Sequence, residues 1–375
     1  CENNVFLAQA NKIGALTENN DNEHEYFNGS GQSQIVSPTG LVLAKMASTE
    51  EGYVFADIDL SECDDSKKIR PDGTKLSKQR RPELYQKLSE QKNSIVETSE
   101  VPETANTAIF ATYKSNEEAI EDVCHYIENN LSDITQLPEL FFVADKSITH
   151  NSEQLAEIER LSKQFIVEVS AMLRPFQYVC TSLVLDGAHQ AVIISEQGVF
   201  ATQQQLHFCQ RYSWTALGND VNIIELPLEQ GNISVAMLTA DDANIPEIVN
   251  AAALNNIHLL LVPFDIQEPC EVDYSLISRA AEHRICIVAA SREKSFKAEP
   301  VVDTNVQNTG NKKKVKAKKS IGFIANLSKN FVMPTPKNSI RFDGYINMPL
   351  VKSQHGKITK ALIFPVAACS KSPTK

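Results

Sequence analysis

The stretch Val235-Ala236-Met237-Leu238-Thr239-Ala240-Asp241-Asp242-Ala243-Asn244-Ile245-Pro246-Glu247 decides how this chain folds. Val235 to Leu238 is a short apolar run of the length and character of a buried strand. Small and acidic residues then turn the chain, and Pro246-Glu247 closes the unit. Other apolar runs flank it, at Gln177 to Leu185, Gln190 to Ser195 and Leu259-Leu260-Leu261-Val262-Pro263. Between them lie helix-like stretches, at Asn116 to Asn130 with Ala119, Ile120, Val123, Cys124 and Ile127 on one face, and at Ser152 to Phe165. Strands alternating with helices in this way indicate a layered α/β protein.

The motif resembles the strand-to-turn unit of the nitrilase (carbon–nitrogen hydrolase) superfamily, in which the strand delivers a cysteine, followed by any residue, Asp, three residues and Pro-Glu. Here Asp242 stands on the family Asp, and Ala240 stands where the family carries its cysteine. Gly231, Leu259 to Pro263 and Arg279-Ala280-Ala281-Glu282 also match the family scaffold. The resemblance implies an α-β-β-α sandwich. It also implies a triad: a glutamate as base, a lysine to offset charge on the tetrahedral intermediate, and the cysteine as nucleophile.

Glu139, in Leu137-Pro138-Glu139-Leu140-Phe141, matches the family glutamate; its plain alternative is a strand-end carboxylate bonded to nearby backbone. The lysine should fall in Thr202-Gln203-Gln204-Gln205-Leu206-His207-Phe208, at Gln203 or Gln205. We place it at Gln205, with His207 and Arg211 as the groups nearby that could supply a cation. A neutral amide cannot take that role. A methyl group cannot attack a carbonyl or nitrile carbon, so two of the three catalytic positions have lost their reactive groups. Cys209, Cys180 and Cys286 read as inert thiols rather than relocated nucleophiles. No phosphate loop, Ser-His-Asp order or zincin motif offers a rival chemistry.

An internal repeat sets the organisation. Glu2 to Asn11 is echoed by Glu282 to Ser291, 280 residues on, and both read as a helix end entering a buried strand. Gln34 to Gly40 is echoed by Asn330 to Pro336. Gly31 to Ala44 and Glu50 to Leu60 read as two strands, with Pro38-Thr39-Gly40 supplying a bend. Arg80-Arg81-Pro82-Glu83-Leu84-Tyr85 resembles the terminal segment of N-carbamoyl amino acid amidohydrolases in the same superfamily. Residues 1–88 are expected to be the carboxy-terminal part of a first nitrilase-like unit, 89–105 a polar linker, and 106–369 a second, degenerate unit with a lysine-rich insertion near 305–319. Cys1 in place of Met suggests that the chain starts mid-frame.

The net charge of −11 over 375 residues argues against nucleic acid as a partner, and the run Lys312 to Lys319 reads as a solvated loop. No apolar run reaches the ~20 residues of a membrane span, so no membrane partner is expected. Eight scattered cysteines with no CxxC pair fit a cytoplasmic setting and no structural metal, and no cofactor is expected. The resemblance implies a parent enzyme acting on a small amide, N-carbamoyl compound or nitrile. The alternative is a non-catalytic binding or dimerisation module that regulates an active unit, partnered by the first unit or by a homodimer face.

Overall fold

The computed structural model describes residues 3–15, 28–64, 68–90, 102, 104–112, 114–143, 151–267, 271–283, 285–295, 319–325, 351–352 and 358–365. These fall into two compact units, one ending at Arg80 and the other starting at Arg81.

The first unit holds β1 (Leu7–Gln9), β2 (Ile13–Ala15), β3 (Asn28–Ser30), β4 (Gln34–Val36), β5 (Val42–Lys45) and a short helix α1 (Leu76–Gln79). Its main sheet has the order β1-β4-β5, with both pairs antiparallel, and β2 pairs with β3. The expected bend at Pro38-Thr39-Gly40 lies between β4 and β5. There the Ser37 hydroxyl accepts from the Leu41 amide at 3.0 Å, and Gly40 takes a φ of 86° that a side chain would resist. Two expectations need correction. No strand forms over Glu50 to Leu60, where the chain is irregular until a 3-10 turn at Leu60–Cys63, so the strand pair lies wholly within 34–45. And β1 is not buried: Leu7 is 54% exposed.

The second unit begins with α2 (Pro82–Glu90) and continues as β6 (Thr104–Ala111), α3 (Asn116–Glu128), β7 (Ile134–Glu139), α4 (Ser152–Met172), β8 (Tyr178–Leu185), β9 (Ala188–Ser195) and β10 (Gly198–Gln204). Then follow β11 (Ile223–Leu228), β12 (Gly231–Met237), α5 (Ala240–Ala243), α6 (Pro246–Leu254), β13 (Leu259–Pro263), α7 (Ser278–His283) and β14 (Cys286–Ser295). The last strands are β15 (Lys319–Ala325), β16 (Val351–Lys352) and β17 (Ile358–Pro365). One sheet has the order β10-β9-β8-β7-β6-β17-β16 and the other β11-β12-β13-β14-β15.

Strand alternation assigns each side chain to a layer. Ile109, Cys180, Ile193, Val235, Met237, Leu259, Leu261 and Val288 share one buried cluster, so these alternate residues face each other between the sheets. Their neighbours Ala236, Leu260, Val262 and Ile287 turn the other way and pack on Ile248, Val249 and Ala252 of α6 and Ala280 of α7. On the far side, Phe110, Val179, Val192 and Ile194 pack on Ile120 and Val123 of α3 and on Leu161, Phe165 and Val169 of α4. The result is the four-layer α-β-β-α sandwich expected for this unit. The helix around Ser152 extends beyond Phe165 to Met172 because Val169 continues the buried stripe; it is capped by Asn151, whose side chain accepts from the Glu153 amide at 2.9 Å.

The lysine-rich insertion lies outside the described residues apart from Lys319, which opens β15. Most of the supposed linker also lies outside them, although β6 already starts at Thr104. Asn330 to Pro336, the proposed echo of Gln34 to Gly40, is likewise outside. The strand that pairs with β14 is Lys319–Ala325, with Ile287 opposite Ala325.

Candidate active site

Strand ends converge where β7 leaves the first sheet and β12 and β13 leave the second, the side of an open α/β sheet on which ligands ordinarily bind. The Glu139 amide donates to the Phe264 carbonyl at 3.2 Å, tying β7 to the end of β13. Leu140 follows with a φ of 39°, left-handed backbone that costs a leucine on the order of 1–3 kcal/mol. Its amide donates to Ser182 Oγ at 3.1 Å, which holds the turn that aims Glu139 inward.

Glu139 is fully buried and already engaged. Oε2 accepts from the Tyr212 hydroxyl at 2.8 Å and from Arg211 Nη1 at 3.2 Å. Oε1 has no hydrogen-bond partner among the described residues, and His189 Nε2 lies 3.8 Å from it. Burial, reinforced by the Glu139 carboxylate, holds the Tyr212 phenol well above its ordinary range, so it stays protonated and donates.

Arg211 is the centre of the arrangement. Besides Glu139, Nη1 donates to Asp265 Oδ2 at 2.9 Å and Nη2 to Asp241 Oδ2 at 2.8 Å. Burial alone would pull the guanidinium down. The carboxylates of Asp241, Glu139 and Asp265 outweigh it and hold Arg211 well above its usual value. One permanent cation thus gathers three carboxylates, from the ends of β7, β12 and β13.

The position expected to carry the nucleophile, Ala240, is 1% exposed and opens α5. Its successor Asp241 is the residue gripped by Arg211, so the turn that should present a thiol instead presents a carboxylate to an internal cation. Asp242, on the family Asp, is a structural acceptor. Oδ2 takes the Leu206 amide and the Thr239 hydroxyl, both at 2.9 Å, and Oδ1 takes the His207 amide at 2.9 Å and His207 Nδ1 at 2.8 Å. With Nδ1 donating, His207 Nε2 accepts from the Tyr85 hydroxyl at 3.0 Å, and Tyr85 in turn accepts the Arg81 amide at 2.9 Å. Arg81 Nη1 donates to the Leu206 and Gly218 carbonyls, each at 2.7 Å. His207 is therefore fixed by the scaffold on both ring nitrogens.

Gln205 is also fully buried, and it meets Glu139 only through an intermediary. Its Oε1 accepts from His189 Nδ1 at 2.7 Å, which leaves His189 Nε2 to accept from Ser182 Oγ at 2.9 Å; its Nε2 donates to the His207 carbonyl at 2.7 Å. Gln203 is directed elsewhere, donating to the Gln204 and Asp220 carbonyls at 2.9 Å. Cys209 lies beside Gln205, with Sγ 3.4 Å from Nε2. Burial, reinforced by Asp241, raises its thiol far above the ordinary range, and burial does the same to Cys180. The half-buried Cys124 is pushed up to about 11. None carries thiolate at neutral pH. Native-state alkylation at pH 8 followed by peptide mass mapping should leave Cys180 and Cys209 unmodified until denaturant is added.

The sequence reading named Glu139, Gln205 and Ala240 and did not name His189, Tyr212 or Asp265, which join the network around Glu139, Gln205 and Arg211. A histidine and a serine in otherwise apolar strands, at Ser182 and His189, were the available signal for a buried polar network.

The model of the carbon–nitrogen hydrolase family matches residues 1–68. Among solved structures, the chain is similar to a mutant of the Nesterenkonia AN1 amidase from the nitrilase superfamily, at 16% identity and a TM-score of 0.47 over 72% of this chain and 94% of that one. A crystal structure of an amidase from Nesterenkonia sp. gives 15% identity and 0.47 over 73% and 95%. A mutant of the Nesterenkonia sp. AN1 amidase in complex with butyramide gives 17% and 0.46 over 71% and 92%. No curated protein matches the chain. Among the described residues, no helix is long and apolar enough to cross a membrane.

Proposed function

We propose that the second unit is a carbon–nitrogen hydrolase sandwich without the chemistry, retained as a non-catalytic partner for an active sandwich of the same superfamily, and that residues 1–80 are the closing strands of such an active unit. The parent activity would be hydrolysis of a non-peptide carbon–nitrogen bond in a small amide, N-carbamoyl compound or nitrile. One observation carries the reading: the base Glu139 is held by Arg211 and Tyr212 while a methyl group, at Ala240, stands at the nucleophile position. A glutamate that already accepts from a guanidinium and a phenol is poorly placed to take a thiol proton. The missing cation adds to the loss, since Gln205 is neutral and bonded to His189. That Arg211 spends its donors on three carboxylates of its own fold favours a structural role over retention of a ligand.

Restoring the lost groups tests this. An Ala240→Cys, Gln205→Lys variant should still release no ammonia from amides, because Arg211 continues to occupy Glu139. In an Ala240→Cys single variant the new thiol should alkylate no faster at pH 7 than a cysteine in the unfolded chain. Rapid, single-site alkylation with thiolate character below neutral pH would mean that Glu139 still works as a base, and would overturn the reading.

A further inference from the structure

Between β10 and β11 the chain runs without helix or strand from Gln205 to Asn222. A loop of that length inside a compact unit is ordinarily retained for a function. This one carries His207, Cys209 and Trp214, and it brings Arg211 and Tyr212 to Glu139. Its neck closes where the Gly218 amide donates to the Gln205 carbonyl at 2.8 Å. A side chain at Gly218 would come within 3.1 Å of Gln204 Cβ and 3.3 Å of Leu206 Cδ2, so the outgoing and returning arms of the neck lie in close contact.

Arg81 spans that neck from outside the loop. Nη1 donates to the Leu206 and Gly218 carbonyls, each at 2.7 Å, and Nη2 donates to Asn219 Oδ1 at 2.6 Å. A planar guanidinium reaches these acceptors in fixed directions that a lysine ammonium does not reproduce. Pro82 then opens α2, and Leu84 is 3% exposed in the cluster that also holds Leu206, Ala240 and Ile248. Tyr85 completes the segment, with its hydroxyl on His207 Nε2 at 3.0 Å and its ring centroid 5.7 Å from that of His207. The Arg81 amide donates to the same hydroxyl, so guanidinium, leucine and phenol are presented as one unit, while the Glu83 side chain is 71% exposed.

We infer that Arg81-Pro82-Glu83-Leu84-Tyr85 is a latch, that the loop neck and the apolar pocket around Leu84 form the surface that receives it, and that its occupancy keeps Arg211 seated on Glu139. The surface fits an Arg-Pro-x-Leu-Tyr segment, and its occupant is this chain's own residues 81–85. The inference rests on the reading of Glu139 as a base held out of use and names what holds it so; Arg81 is a positioning residue. Asp242 already fixes the outgoing arm of the neck through the Leu206 and His207 amides, so Arg81 adds the returning arm, at Gly218 and Asn219. Without its charge-assisted bonds that arm is freed, the loop opens locally short of global unfolding, and Arg211 and Tyr212 leave Glu139 together.

Two buried thiols report on loop and sheet separately, since Cys209 lies in the loop and Cys180 in β8. In the full chain carrying Arg81→Ala, native-state alkylation at pH 8 should label Cys209 about tenfold faster than in the unaltered chain and leave the Cys180 rate unchanged. Arg81→Lys, which keeps the charge but not the fork, should lie between the two. In an Arg81→Ala, Leu84→Ala double variant, whose own segment competes weakly for the surface, a synthetic peptide of residues Arg80 to Ser89 should slow Cys209 labelling again. The same peptide with citrulline in place of Arg81 should not. Cys209 labelling that stays slow in Arg81→Ala would show that the loop is held without the latch, and Cys180 accelerating in step with Cys209 in both Arg81 variants would show a loss of global stability alone; either result overturns the inference, as does failure of the peptide to protect. Ammonia release by the natural chain would overturn the non-catalytic reading, whereas the latch is read from Cys209 and stands or falls on that rate.

Discussion

Replacing Asp242 by alanine should destabilise the second unit by about 3–5 kcal/mol, the largest effect expected of a single substitution here. The carboxylate is buried and accepts from the Leu206 and His207 amides, His207 Nδ1 and the Thr239 hydroxyl. Its removal strands these donors where water does not replace the acceptor, and each orphaned donor costs roughly 1–3 kcal/mol before relaxation. Asp242→Asn retains one carbonyl acceptor but turns an amide donor toward donors already present, so it should fall between wild type and alanine. Urea denaturation followed through Trp214 fluorescence measures both. A loss under 1 kcal/mol for the alanine variant would mean that the family Asp is not what holds the turn.

Arg211→Met should be nearly as damaging, at about 3–5 kcal/mol near neutral pH, and its effect should depend on pH. Without the guanidinium, Glu139, Asp241 and Asp265 remain crowded together with no cation. The like charges then repel one another in the folded variant, and the repulsion grows as the carboxyls ionise with rising pH. The gap between variant and wild type should therefore widen from pH 5 to pH 8. A gap that is constant across this range would mean that Arg211 acts through packing alone.

The sandwich was legible because its strands are short apolar runs whose alternate residues face different layers, as Val235, Ala236 and Met237 do. The candidate position Ala240 was read from the frame around Asp242 and Pro246-Glu247, a local feature of the sequence. What escaped was the non-local part. Arg211 was readable as a stray cation near the lysine position, yet that it reaches Glu139, Asp241 and Asp265 depends on three strand ends meeting in space. Glu50 to Leu60 misled for a different reason: alternating apolar residues such as Tyr53 and Phe55 imitate a strand, but no neighbouring strand among the described residues pairs with them. The exposure of β1 was equally hidden, since Glu2 to Asn11 has the same pattern as its buried counterpart and only the neighbour differs.

Ammonia release by the unaltered chain tests the central claim most directly, with a panel of short amides, N-carbamoyl amino acids and nitriles at pH 7. With Ala240 at the nucleophile position and Glu139 tied to Arg211, the rate should equal that of buffer for every compound. Saturable turnover that disappears in a Glu139→Gln variant would contradict it, and would place a working nucleophile somewhere in this chain.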